Sequence, residues 1–109
     1  TQTPNDPEAK AGRAQAALLA RVSALDPARV LADAAARPTD VEAQLAAADA
    51  ELMGGATQQA FNRLLELIRN TFGPDRETVR LRLLELFETV GSTDPAVLKA
   101  RRDLMSALF

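Results

Sequence analysis

Ser23, Ser92 and Ser106 are the side chains best suited to nucleophilic chemistry, and nothing in the sequence can activate them. A serine attacks when an adjacent base takes its proton, usually a histidine and in some enzymes a lysine. The chain has no histidine, and its lysines, Lys10 and Lys99, share no recognisable motif with a serine. Without cysteine there is no thiolate nucleophile, disulfide framework or thiolate metal site. Asp49 and Glu51 are two apart on an expected helix and cannot face each other, and Glu42 reads as a capping residue. No other carboxylate pair is spaced for acid–base work. Gly54-Gly55 lacks the Gly-x-x-x-x-Gly-Lys pattern and the preceding strand of a phosphate loop. The expectation is a chain with no catalytic residue, no cofactor and no metal site.

Composition narrows the remaining classes. The 109 residues suit a single domain. They are 47% hydrophobic and 4% aromatic, with alanine and leucine dominant, a balance that favours helix over strand. Thirteen basic residues against fifteen acidic ones give a net charge of −2, so no basic surface for nucleic acid is expected. No apolar run approaches the roughly 20 residues needed to span a bilayer, so no membrane partner is expected either. No signal peptide is visible, and a cytoplasmic location is the default. The segment 1–6, which opens on Thr rather than Met, reads as a linker or an N-terminal cut from a longer chain.

Six helices can be placed by their punctuation. Asp6-Pro7, Asp26-Pro27 and Asp94-Pro95 each combine an N-capping carboxylate with a proline that loses nothing at the first helical position. Thr39 with Glu42, Thr57 after Gly54-Gly55, and Asp75 after Gly73-Pro74 supply the other starts. The helices are expected at about 7–24, 27–37, 40–53, 58–72, 76–90 and 95–108, give or take a few residues at each end. The short joins predict three antiparallel hairpins, at about 7–37, 40–72 and 76–108, within one repeat domain over 7–109. Apolar stripes of helical period support this: Phe61, Leu64, Leu65, Ile68 and Phe72 in the fourth helix, and Val79, Leu83, Leu86, Phe87 and Val90 in the fifth. The third has a narrow stripe, Val41, Leu45, Ala48 and Leu52, flanked by Ala43, Ala46, Ala47 and Ala50, which lets a neighbour approach closely. Arg76, Arg80 and Arg82 with Glu77, Glu85 and Glu88 read as a solvated helix face with local pairing.

The central hairpin fits the tetratricopeptide repeat of about 34 residues. A repeat starting at Val41 places Ala48 at the small position, Gly55 at the turn, Ala60 at the second helix's alanine and Leu64 at the large apolar position. Gln44 and Glu51 depart from it, standing where aromatic residues are usual. The fold expected is all-α, a short solenoid of tetratricopeptide-like hairpins. A more specific likeness runs through PTDVEAQLAAADAELMGG from Pro38, QAFNRLLELIR from Gln59, LLELFETVG from Leu83, Asp94-Pro95 and RRDLMSALF from Arg101. In these strings the chain resembles the C-terminal tetratricopeptide domain of bacterial thioredoxin-like co-chaperones, the chaperedoxin family, in an Ala/Arg-rich wording similar to actinobacterial members. The resemblance implies a protein that holds unfolded clients and passes them to chaperonin or Hsp70 systems, the redox chemistry belonging to a thioredoxin-like domain not contained here. It also implies that the last helix docks a chaperonin, through Leu98, Arg101, Arg102, Leu104, Met105, Leu108 and Phe109.

The residues of that helix leave two readings open. Val97, Ala100, Leu104 and Leu108 form one apolar stripe, and Leu98, Met105 and Phe109 a second. A repeat cap needs only one, since its outer face should be polar. The second stripe is therefore either a protein-binding or self-association surface, or part of the core in a groove between neighbours. Arg101 and Arg102 either complement the negative end of the helix dipole or steer an acidic partner. The rival function is structural, with the last helix making a homodimer or packing on the absent thioredoxin-like domain.

Overall fold

The computed structural model describes residues 6–109, so the expected linker at 1–6 lies, apart from Asp6, outside the described residues. Six helices follow in order: α1 (Pro7–Val22), α2 (Pro27–Ala36), α3 (Val41–Met53), α4 (Thr57–Arg69), α5 (Gly73–Val90) and α6 (Pro95–Leu108). Among the described residues there is no strand. The fold is all-α, as the composition and period require.

Local chemistry explains the helix starts. The Asp6, Asp26 and Asp94 carboxylates accept from the amides of Glu8, Arg29 and Ala96, at 2.8, 3.4 and 2.8 Å. At α3 the cap is Asp40, which accepts from Ala43 N at 3.0 Å, one residue beyond the Thr39 expected. α4 and α5 start earlier than their polar residues suggest. α4 begins at Thr57 and α5 at Gly73, whose φ of 59° turns the chain into the helix, and neither helix has a side-chain cap.

Glycine handles the sharpest exits. Gly55 and Gly91 have φ of 88° and 115°, values that an L side chain rarely adopts. A Cβ at Gly91 would meet nothing within 4 Å, so an added methyl group acts through the backbone alone. Gly91→Ala is expected to lower stability by about 1–2 kcal/mol, with α5 and α6 still formed. Chemical denaturation with far-UV circular dichroism measures this, and an unchanged midpoint would contradict it.

Packing centres on α3, whose alanines let neighbours in from several sides. Ala43, Gln44, Leu45, Ala47, Ala48, Asp49, Ala50 and Leu52 are all buried. α3 contacts α1, α2, α4 and α5, and α4 contacts α3, α5 and α6. One apolar core runs through α1, α3, α4, α5 and α6. Within it Phe61 meets Phe87 edge to face, with ring centroids 5.1 Å apart.

The ends of the chain depart from the expected hairpins. α1 does not pack along α2; it crosses to α5 and α3. α6 lies along α4 rather than α5, which it meets through side chains such as Arg101, whose guanidinium is 5.1 Å from the Phe87 ring centre. Short joins limit how far successive helices can separate, but they do not require them to pack. Phe72 also leaves its expected place. α4 stops at Arg69, so Phe72 falls in extended backbone, 76% exposed, with Arg76 over its ring at 5.3 Å.

Candidate functional site

Three surfaces carry polar or apolar groups that could serve a function. They are two charge networks around α3 and the outward face of α6.

The first network joins α1, α3 and α5 around Asp49, which is 1% exposed. Arg21 grips its carboxylate with two nitrogens, Nε at 2.9 Å and Nη2 at 3.2 Å, and Arg82 Nη1 adds a contact at 2.6 Å. Glu85 accepts from Arg21 and lies 3.7 Å from Arg82 Nε. Burial by itself lowers the pKa of Arg21. The hydrogen bond and charge of Asp49, and then of Glu85, outweigh it and hold the guanidinium above its ordinary value. A raised basic pKa contributes stability that is complete below the unfolded value and is lost only as pH rises through the folded one. This network therefore loses nothing through Arg21 at neutral pH. Arg82 and Glu85 are not part of a fully solvated helix face, as the local pairing pattern suggests; Arg80 and Glu77 are, with their exposed pair at 2.6 Å.

The second network explains the departures from the repeat pattern. Gln44 donates to the carbonyls of Ala34 and Arg37, at 2.9 and 3.1 Å. Its own oxygen accepts from Arg63 at 2.7 Å, and Arg63 forks onto Glu51 at 2.7 and 3.2 Å. Polar residues thus tie α2, α3 and α4 together at positions where a repeat ordinarily packs aromatic rings. A groove of about 820 Å³ opens beside this network, with Asn62, Glu66 and Asn70 on its α4 wall. Asp49 and Glu51 point into different networks, so no carboxylate pair forms here.

On α6 the two stripes separate. Val97, Ala100 and Leu104 are buried against the core, and Leu108 is partly buried. Leu98, Met105 and Phe109 face outward, 46%, 62% and 96% exposed. The reading in which both stripes are core is not what the fold adopts, because α4 covers only one side of the helix. Arg101 and Arg102 are exposed beside the outward stripe, and neither falls in the last helical turn, where a dipole role would place them. Among the described residues Arg102 has no carboxylate partner. Of the seven residues expected to form one site, Leu104 and Leu108 belong to the buried side, and Leu98, Arg101, Arg102, Met105 and Phe109 share the open side. Sequence reasoning missed Asp49 and Arg63 as organising residues. Their signal was a charged residue inside an otherwise alanine-rich helix and an arginine bordering the α4 stripe.

No helix among the described residues is long and apolar enough to cross a membrane. No solved structure matches the chain. Uncharacterized proteins of Mycobacterium bovis and Mycobacterium tuberculosis are each 41% identical to it over 107 residues. The alignment covers 97% of this chain and 34% of those relatives, so the chain spans about a third of their length. Both are actinobacterial, the group whose wording the sequence resembles. A tetratricopeptide repeat model matches residues 20–109, and such domains generally mediate protein–protein interaction and are typically non-enzymatic. With Ala48, Ala60 and Leu64 all fully buried at their repeat positions, the chain belongs to the tetratricopeptide repeat family.

Proposed function

We propose that this chain is the protein-binding module of a longer thioredoxin-like co-chaperone and that α6 docks it onto a chaperonin or Hsp70 partner. The observation that carries the docking face is the outward stripe of Leu98, Met105 and Phe109 on a helix whose other stripe already fills the core. An apolar stripe with two arginines beside it offers a buried centre and a charged rim, the usual anatomy of a protein contact. The rim adds long-range attraction to an acidic partner, so association should slow as salt rises. The co-chaperone identity rests on the resemblance of the strings from Pro38 onward, and the longer relatives leave room for a second domain. A homodimer through this stripe is the less favoured reading. The resemblance that carries the co-chaperone reading points to a different protein as partner, not to a second copy of this chain.

The test uses the full-length protein with Met105→Glu and Phe109→Glu together, and immobilised chaperonin or Hsp70. Both side chains are mostly exposed, so the helical spectrum and the melting temperature should barely move. Binding should weaken at least tenfold, the loss of about 1.4 kcal/mol that one anchor residue commonly contributes. Equal binding by wild type and variant would remove α6 as the docking face. Absence of binding by the wild type would remove the co-chaperone reading. Concentration-dependent sedimentation that the variant abolishes would favour the dimer instead.

A further inference from the structure

The repeat match begins at residue 20, so nearly all of α1 precedes it. α1 nonetheless covers a face of the repeat, lying across α5 and α3 and not beside α2, its neighbour in sequence. It packs broadly on α5 and α3 but buries few side chains, with Val22 only partly buried against the core. Of its sixteen residues only Ala14 and Leu18 are buried, against eight of thirteen in α3 and six of thirteen in α4. Polar contacts add to Leu18 and Val22 in orienting it: Arg21 on Asp49 and Glu85, and the Gln15 amide donating to the Thr89 carbonyl at 3.3 Å. Gly12 sits within the helix with nothing within 4 Å of a Cβ placed there, so packing does not demand a glycine at that position. A glycine in a helix interior weakens it, and a detached helix of this length is marginal in water. Segments with few buried contacts open locally, without unfolding the rest.

The face that α1 covers has a chemistry of its own. Without Arg21, Asp49 and Glu85 would face Arg82 alone and keep one net negative charge, which calls for a cation in the vacated place. We propose that α1 is an exchangeable occupant of a helix-binding face on α3 and α5. The partner that fits is an amphipathic helix with the same pattern: a small residue, a leucine four positions on and an arginine three beyond. Binding of such a helix displaces α1 and keeps the carboxylates paired. This face lies on different helices from α6, so the two proposals stand or fall separately.

Hydrogen exchange on the full, unmodified chain is the first measurement. Amides of α1 should exchange at least tenfold faster than the buried amides of α3 and α4. The second measurement titrates a fluorescent peptide of residues 7–25 into three full-length proteins. Leu18→Ser combined with Arg21→Ala frees the face and should bind the peptide at least tenfold more tightly than wild type. Gly12→Ala strengthens α1 without touching the face, and should slow α1 exchange and weaken peptide binding. A peptide carrying Leu18→Ser and Arg21→Ala should bind none of them. Exchange of α1 in step with α3 and α4 would overturn the proposal, as would equal peptide affinity for wild type and Gly12→Ala.

Discussion

Phe61→Ala is expected to destabilise the domain by about 4 kcal/mol, more than any other single substitution named for this protein. Phe61 is fully buried and meets Phe87 edge to face, where α4 packs against α5. Truncation leaves a cavity beside Phe87, inside the close-packed cluster to which both rings belong. The lost ring pair adds about 1 kcal/mol to the burial loss. A domain of this size has about 5–15 kcal/mol in total, so the variant should populate unfolded chains well below the wild-type melting temperature. Urea denaturation followed by circular dichroism measures it. A loss under about 1 kcal/mol would mean that the pocket collapses around the smaller side chain.

Asp49→Ala should rank second, at about 2–3 kcal/mol. Breaking a buried ion pair commonly costs about 3–5 kcal/mol, because the partner keeps its charge without its counterion. Two features place this case at or just below the bottom of that range. Arg21 and Arg82 retain part of their solvent contact, and Glu85 still receives Arg21 at 3.0 Å. Arg21→Ala should cost less than Asp49→Ala, since it leaves Asp49 paired with Arg82. The same denaturation series checks this order, and its reversal would show that the arginines, not the carboxylate, hold the network together.

The two substitutions differ in what they report. Phe61 holds the repeat itself together, and its loss should release every helix at once. Asp49 ties a peripheral helix to the repeat, so its loss should raise exchange in α1 before α3 and α4 respond. That contrast follows from the packing, because α1 reaches the apolar core through Leu18 and the partly buried Val22.

Much of this protein was legible locally. The Asp-Pro pairs mark helix starts because a cap and its amides lie within three residues, and Gly91 marks an exit because few other residues tolerate its φ. The alanines of α3 signalled close packing, and the repeat register at Ala48, Ala60 and Leu64 named buried positions. Phe72 was misplaced because periodicity alone does not say where a helix stops. Asp49 was passed over because its partners lie 28 and 33 residues away, and helical spacing carries no information about such pairs.

The amino-acid sequence by itself determined the helices, their all-α class and the lack of any histidine or cysteine to do chemistry, since these depend on residue type and short-range spacing. It also put two apolar stripes on the last helix. Which stripe is open was decided by the tertiary structure alone. α4 packs against Val97, Ala100 and Leu104, and one neighbouring helix covers one side, leaving Leu98, Met105 and Phe109 to the solvent. The course of α1 over α3 and α5 has the same origin. It depends on contacts between residues far apart in sequence, 28 positions for Arg21 with Asp49 and 64 for Arg21 with Glu85, which only the folded chain brings together.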